Sequence, residues 1–255
     1  MSSDKSEIRI LTDAEEIIQT AAVEFVRQTI EAVQAKGFFT VALSGGSTPR
    51  GLYSLLARNG KPGFRFQVPW NKIHFFWGDE RHVPPDHPDS NYRMAHETML
   101  SKVPVPLENV HRIKAENPDA RRAAEDYERE LREFFRLEAG QLPRFDMVLL
   151  GMGADGHTAS LFPGTEVIHE EKRLVVALWV EKLNTYRITL TPPVLNNAAR
   201  VIFLISGEEK AETLRTVLQG SYQPERFPAQ IIHPTIGKLL WLIDQAAARL
   251  PEFKE

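Results

Sequence analysis

The 255-residue sequence contains no cysteine. That absence excludes disulfides, thiolate metal centres and a cysteine nucleophile together. Long apolar runs are missing as well: none approaches the roughly 20 residues that cross a bilayer, and Met1–Arg9 is too polar to read as a signal peptide. Charge of one sign is scarce, since 31 basic and 34 acidic residues leave a formal net charge of −3. Such a balance gives no general attraction to nucleic acid or to an anionic membrane, so an anionic ligand has to be gripped by a local cluster of donors. The eight histidines show no spacing that suggests a metal site. Gly/Ser-rich linkers, repeats and low-complexity stretches are absent too, which points to residues 1–255 as a single domain. With 42% hydrophobic and 25% charged residues, the chain is expected to be a cytoplasmic globular protein with a sizeable core.

Helical and strand patterns alternate along that core. Ile8–Leu11 reads as a short strand, after which Thr12 or Asp13 caps a helix carrying Ile17, Ile18, Ala21, Val23, Phe25, Val26, Ile30 and Val33. Gly37 stops it. Phe39–Leu43, Ile73–Trp77 and Met147–Leu150 are apolar runs of strand length, and Leu174–Val180, Arg187–Leu190, Val201–Ile205 and Leu239–Ile243 are further strand candidates. Ala120–Leu137 has Glu and Arg three and four apart, the mark of a solvated helix face. Strand, turn and helix in repetition predict an α/β fold, a mostly parallel sheet with helices on both faces. Ligands of such sheets bind beyond the carboxyl ends of the strands. The unusual turns all lie there, after Leu43, Trp77, Leu150 and Ile205.

Four groups of residues are candidates for chemistry. Ser44-Gly45-Gly46-Ser47-Thr48-Pro49 joins a strand to a helix start: the glycines admit an anion close to the backbone, and the helix amides and dipole favour a phosphate. Its alternative is a tight turn with a hydroxyl cap, which needs only one of its three hydroxyls. Gly151-Met152-Gly153-Ala154-Asp155-Gly156 formally matches a dinucleotide fingerprint, but Pro163-Gly164 cuts the following helix short and Glu170 and Glu171 precede the next strand instead of ending it. The same turn serves better as a catalytic loop, with Asp155 orienting His157 so that the second imidazole nitrogen takes a proton from water. Its alternative is a pair of backbone caps. Asp79-Glu80-Arg81-His82 is either a solvated loop or a group that orients hydroxyls, with Arg81 open to an anion. Arg187 and Lys210, the latter beside Ser206-Gly207 at a helix start, are surface charges or anion ligands.

Together these segments resemble the 6-phosphogluconolactonase family, within the wider group that includes glucosamine-6-phosphate deaminase/isomerase. The marks are Leu43-Ser-Gly-Gly-Ser-Thr-Pro49, Phe76-Trp-Gly-Asp-Glu-Arg81 with Ser90-Asn-Tyr92, Leu150 to Pro163, Arg187-Ile-Thr-Leu-Thr-Pro-Pro193 with Asn196, and Ser206-Gly-Glu-Glu-Lys210. The resemblance implies a Rossmann-like sheet and hydrolysis of 6-phospho-D-glucono-1,5-lactone in the pentose phosphate pathway, with no cofactor. It favours Asp155 and His157 as the catalytic pair and suggests that Ser44, Gly45, Gly46, Ser47, Arg187 and Lys210 converge on the phosphate. Asp79-Glu80-Arg81 looks lactonase-like, where deaminases carry Asp-Glu-Tyr. Gly156-His-Thr-Ala-Ser-Leu-Phe-Pro163 also lacks the Asn-Glu-Pro that follows the corresponding His in deaminases.

The expected partner is thus a small phosphorylated sugar lactone. The oxyanion of its tetrahedral intermediate is left to glycine N–H groups within 151–156 or to Arg81. Three rivals remain: a serine nucleophile at Ser44 or Ser160, although neither sits in a Gly-x-Ser-x-Gly elbow; an amino-sugar phosphate deaminase/isomerase; and a sugar-phosphate sensor. A sensor would carry a DNA-binding helix-turn-helix, for which a strand already at Ile8 is expected to leave no room.

Overall fold

Asp13 decides where the first helix begins. Strand β1 (Ser6–Leu11) passes into helix α1 (Ala14–Lys36) through this residue, whose carboxylate accepts the Glu16 N–H at 2.9 Å, while the Glu16 carboxylate accepts the Thr12 N–H at 2.6 Å. The exchange satisfies amides that have no partner inside a helix. Gly37 closes α1 at φ +89° and donates to the Val33 carbonyl. The computed structural model describes residues 6–60 and 63–249. They continue as β2 (Phe39–Leu43), α2 (Ser47–Ala57), β3 (Ile73–Trp77), β4 (Asp79–Arg81), α3 (Asn91–Thr98), α4 (Ala120–Phe135), β5 (Met147–Leu150), β6 (Val175–Val180), β7 (Thr185–Leu190), α5 (Pro192–Asn196), β8 (Arg200–Ile205), α6 (Ala211–Gln219) and β9 (Lys238–Asp244).

Six strands form a wholly parallel sheet in the order β1-β9-β8-β5-β2-β3. Every residue of β2, β5 and β8 is buried, which requires cover on both faces. This is the mostly parallel α/β fold that the alternating pattern predicts. The register aligns Leu43 with Trp77, Leu150 with Phe203, and Ile205 with Ile243, so the carboxyl ends of neighbouring strands lie within two residues of one another. From β2 the chain steps outward to β3, then returns to the opposite side of β2 as β5. That reversal makes the crevice between β2 and β5 the topological switch point, where a ligand meets loops from both strands.

Two of the expected strands leave this sheet. Leu174–Val180 and Arg187–Leu190 fall on β6 and β7, the latter starting two residues earlier at Thr185; the two pair antiparallel with each other, and β7 pairs antiparallel with β4 in a second sheet ordered β4-β7-β6. The reason is the connection: only Glu181–Asn184 joins β6 to β7, and a parallel crossover needs a dozen residues or more. Asp79–Arg81 is accordingly a strand and not a loop. Gly78 is the joint between the sheets, donating to the Leu43 carbonyl of one and accepting from the Leu190 N–H of the other, both at 2.8 Å. Helix α4 packs on β6 and β7, and α1 on α2 and β9. No helix among the described residues is long and apolar enough to cross a membrane.

Candidate active site

Two buried tyrosines fix the floor of the crevice. The Tyr53 hydroxyl on α2 donates to the Ser44 carbonyl at 2.9 Å and accepts the Ser44 N–H at 3.0 Å. Tyr127 on α4 treats Trp77 likewise, donating at 3.1 Å and accepting at 2.9 Å. Burial pushes both phenols upward in pKa and so keeps them neutral donors. Each hydroxyl completes backbone groups where a parallel strand runs out of partners. Tyr53→Phe should therefore cost about 1–3 kcal/mol in a urea titration, because it strands two buried backbone groups. The same variant should raise KM several-fold for any ligand that the Ser44 loop grips.

Past Ser44 the loop offers donors and leaves them unpaired. Gly46, the residue preceding α2, takes φ +110° and has no side chain to cap the helix. None of the loop's hydroxyls caps it either, which removes the hydroxyl-cap alternative. Among the described residues the amides of Gly45, Gly46, Ser47 and Thr48 have no partner, and buried Ser44 Oγ is orphaned as well. A Cβ on Gly45 would collide with the Asn91 side chain, so the glycine lets α3 approach this loop.

Asn91 is held there by β4. Buried Glu80 accepts the N–H groups of Arg81, Asn91 and Tyr92 at 2.7–2.8 Å and the Ser90 hydroxyl at 3.1 Å, gathering the start of α3 onto one carboxylate. Burial pushes the Glu80 carboxyl up to about 7 against the pull of those amides. Asp79 accepts Ser160 Oγ at 2.7 Å and the Asn91 amide at 3.4 Å. Ser160 is fully buried and engaged by this bond, so it is a strut for Asp79 and not an available nucleophile. The Arg81 guanidinium donates to the Asp89 carbonyl at 2.8 Å, while its buried Nε has no partner among the described residues.

The turn after β5 holds the imidazole. His157 Nδ1 lies 2.5 Å from Asp155 Oδ1, which also accepts the His157 N–H at 3.2 Å. Gly153 donates to the His157 carbonyl at 2.9 Å, and Gly156 (φ +80°) donates to the Gly153 carbonyl at 3.0 Å. No α-helix follows before β6, so the dinucleotide reading fails where Pro163-Gly164 predicted it would. Burial opposes ionisation of Asp155, but hydrogen bonds from His157 and Lys182 outweigh it and hold the carboxyl far below the usual carboxylate range. The Phe162 ring stacks on His157 with centroids 4.4 Å apart. Ala159 sits beside the imidazole at φ +48°, a conformation that costs a non-glycine residue about 1 kcal/mol or more.

These pieces meet around one cavity of about 210 Å³, lined by Ser44–Pro49, Asp79, Arg81, Asn91, Gly151–Gly153, His157, Ala159, Leu204 and Lys210. Lys210, just before α6, has no ion pair among the described residues. Asp155 does not line the cavity; it stands behind His157 as its anchor. Arg187 does not line it either. It faces Arg81 across the β4–β7 ladder, where burial and then the Arg81 charge lower its pKa, and no carboxylate pairs with it among the described residues. Three contributors escape sequence reasoning. Asn91 and Phe162 stand inside quoted motifs without a role, whereas Lys182 reaches the dyad through a tertiary contact that no local spacing records.

The family model for glucosamine-6-phosphate isomerases/6-phosphogluconolactonase matches residues 12–241. This chain belongs to that family. The 6-phosphogluconolactonase of Synechocystis sp. is 42% identical over 94% of this chain and 96% of its own. The solved 6-phosphogluconolactonase from Trypanosoma cruzi superimposes with a TM-score of 0.84 at 29% identity, covering 98% of each chain. A monomeric glucosamine-6-phosphate deaminase reaches a TM-score of 0.79 at 24% identity, covering 96% of this chain and 99% of its own, so the fold is common to both branches of the family and does not choose between their reactions.

Proposed function

We propose that this chain hydrolyses 6-phospho-D-glucono-1,5-lactone to 6-phospho-D-gluconate, a step of the oxidative pentose phosphate pathway. One observation carries the reading. Unpartnered donors at Gly45–Thr48, Ser44, Arg81 and Lys210 surround the same cavity as an imidazole anchored by an ionised carboxylate. Orphaned donors round a polar cavity call for an anionic, hydroxyl-rich ligand.

In this reading the amides of Gly45–Thr48 and Lys210 hold the phosphate, with Arg187 adding positive potential from behind Arg81. Binding energy at that remote group then orients the lactone carbonyl. With Nδ1 engaged by Asp155, His157 Nε2 is the nitrogen left to remove a proton from water as the water attacks C1. Among the described residues Gly153 and Gly156 use their N–H groups inside the turn, so the developing oxyanion is assigned to the Gly151 N–H and the Arg81 guanidinium, both on the cavity wall. Collapse of the tetrahedral intermediate breaks the bond from C1 to the ring oxygen. The imidazolium returns its proton to that oxygen, and the acid formed ionises to the carboxylate.

Proton release on mixing the protein with freshly generated 6-phosphogluconolactone is expected to exceed spontaneous hydrolysis by several orders of magnitude. A folded protein without that acceleration overturns the reading, and ammonia release from glucosamine 6-phosphate then tests the deaminase alternative.

A further inference from the structure

Lys182 lies outside every motif that marks the family. It belongs to the Glu181–Leu183 turn between β6 and β7, which Asn184 closes in a left-handed conformation at φ +47°. Its ammonium group pairs with Asp155 Oδ2 and stands 4.8 Å from the centroid of the Phe162 ring, the ring stacked on His157. The hairpin that carries it is braced by the Trp179–Tyr186 ring pair, 5.1 Å between centroids.

We propose that Lys182 is a positioning residue of the lactonase site: delivered by the second sheet, it locks the Asp155 carboxylate and through it the orientation and basicity of His157. The inference rests on the function proposed above. Its argument is one of available partners. Asp155 Oδ1 is occupied by His157, through both the ring and the backbone N–H, so Oδ2 needs a donor from elsewhere. Among the described residues Lys182 alone supplies it. Without that bond the carboxylate is free to turn about its own axis, and the imidazole turns with it.

Charge adds a second effect of the same sign. A fixed cation close to the dyad opposes a second positive charge on His157 and so favours the neutral imidazole that accepts a proton. The other charged side chains around the cavity are Asp79 and Arg81 on β4 and Lys210 before α6, and none of them contacts Asp155. The Lys182 side chain is 51% exposed, so water screens this term and the expected shift is modest.

The test compares Lys182→Met and Lys182→Arg with wild type by two readouts. One is an NMR titration of the His157 imidazole without substrate, and the other is kcat and KM for the lactone across the pH range. In Lys182→Met the His157 midpoint and the acid limb of kcat/KM should both move to higher pH by about half a unit. kcat should fall about tenfold with KM changed less than about twofold, and Lys182→Arg should restore most of both. An unmoved midpoint, or a rise in KM at constant kcat, overturns the proposal, the latter by making Lys182 a direct substrate ligand. Absence of lactonase activity in wild type rejects the proposed function instead, and the substrate-free titration then still decides the role of Lys182.

Discussion

Replacing His157 by alanine is expected to lower kcat for lactone hydrolysis by about 10³-fold, with KM changed less than about threefold. The expectation follows from how little else in the cavity can accept a proton. Asp79 is tied to Ser160 and Asn91, Glu80 is closed over the start of α3, and Asp155 sits behind the imidazole and not on the cavity wall. Phosphate grip depends on other residues, so binding should survive. The fold should survive as well, since the imidazole is 30% exposed and among the described residues its ring hydrogen-bonds only Asp155. Thermal unfolding within about 5 °C of wild type, measured beside stopped-flow proton release, separates loss of the base from loss of structure. Asp155→Asn should fall by a comparable factor, because an amide cannot hold Nδ1–H in the same way or offset the imidazolium charge. A folded His157→Ala protein with wild-type turnover would remove His157 from the mechanism.

Gly153→Ala is expected to lower kcat about 100-fold from a single added methyl group. A Cβ at this position would overlap the His157 ring and crowd Asp155 Oδ1. The backbone there is not in the left-handed region, so the strain is steric and falls on the imidazole and its Asp155 anchor. Pushing the ring aside by about 1 Å breaks the geometry between base, water and carbonyl, a displacement that commonly costs about 10²-fold. The phosphate loop is built on a different strand and should keep KM within about threefold of wild type. Unchanged kcat in a folded variant would mean that the His157 position found here is not the one that works. A KM effect alone would assign the Gly151–Gly153 turn to binding.

The parallel core was legible because its strands are buried on both sides. Phe39–Leu43, Ile73–Trp77 and Met147–Leu150 are strands over the residues expected from their apolar runs, and Asp13 and Gly37 mark the ends of α1 by local backbone chemistry. The Ser44 loop and the Asp155-Gly-His157 turn were legible for a related reason, since small residues beside donors announce a close approach to something polar. Helix α3 was not. It has only eight residues, and its start is organised by the Glu80 carboxylate from eleven residues upstream, a contact without periodicity. Sheet membership of β6 and β7 was left unassigned, although the six residues between Val180 and Arg187 are too few for a parallel crossover.

By itself the sequence determined which segments are buried, where α1 starts and stops, and which loops carry donors and an imidazole. Those properties are local, governed by side-chain volume, backbone torsion and the spacing of polar groups. Only the tertiary structure decided that β4, β6 and β7 split off as an antiparallel layer, and that this layer brings Asp79 and Arg81 to the cavity, Arg187 behind them and Lys182 to Asp155. Apolar pattern records that a strand is buried but not which backbone it pairs with. The pairing is settled by connection length and by a single residue, Gly78, bonding both sheets at once.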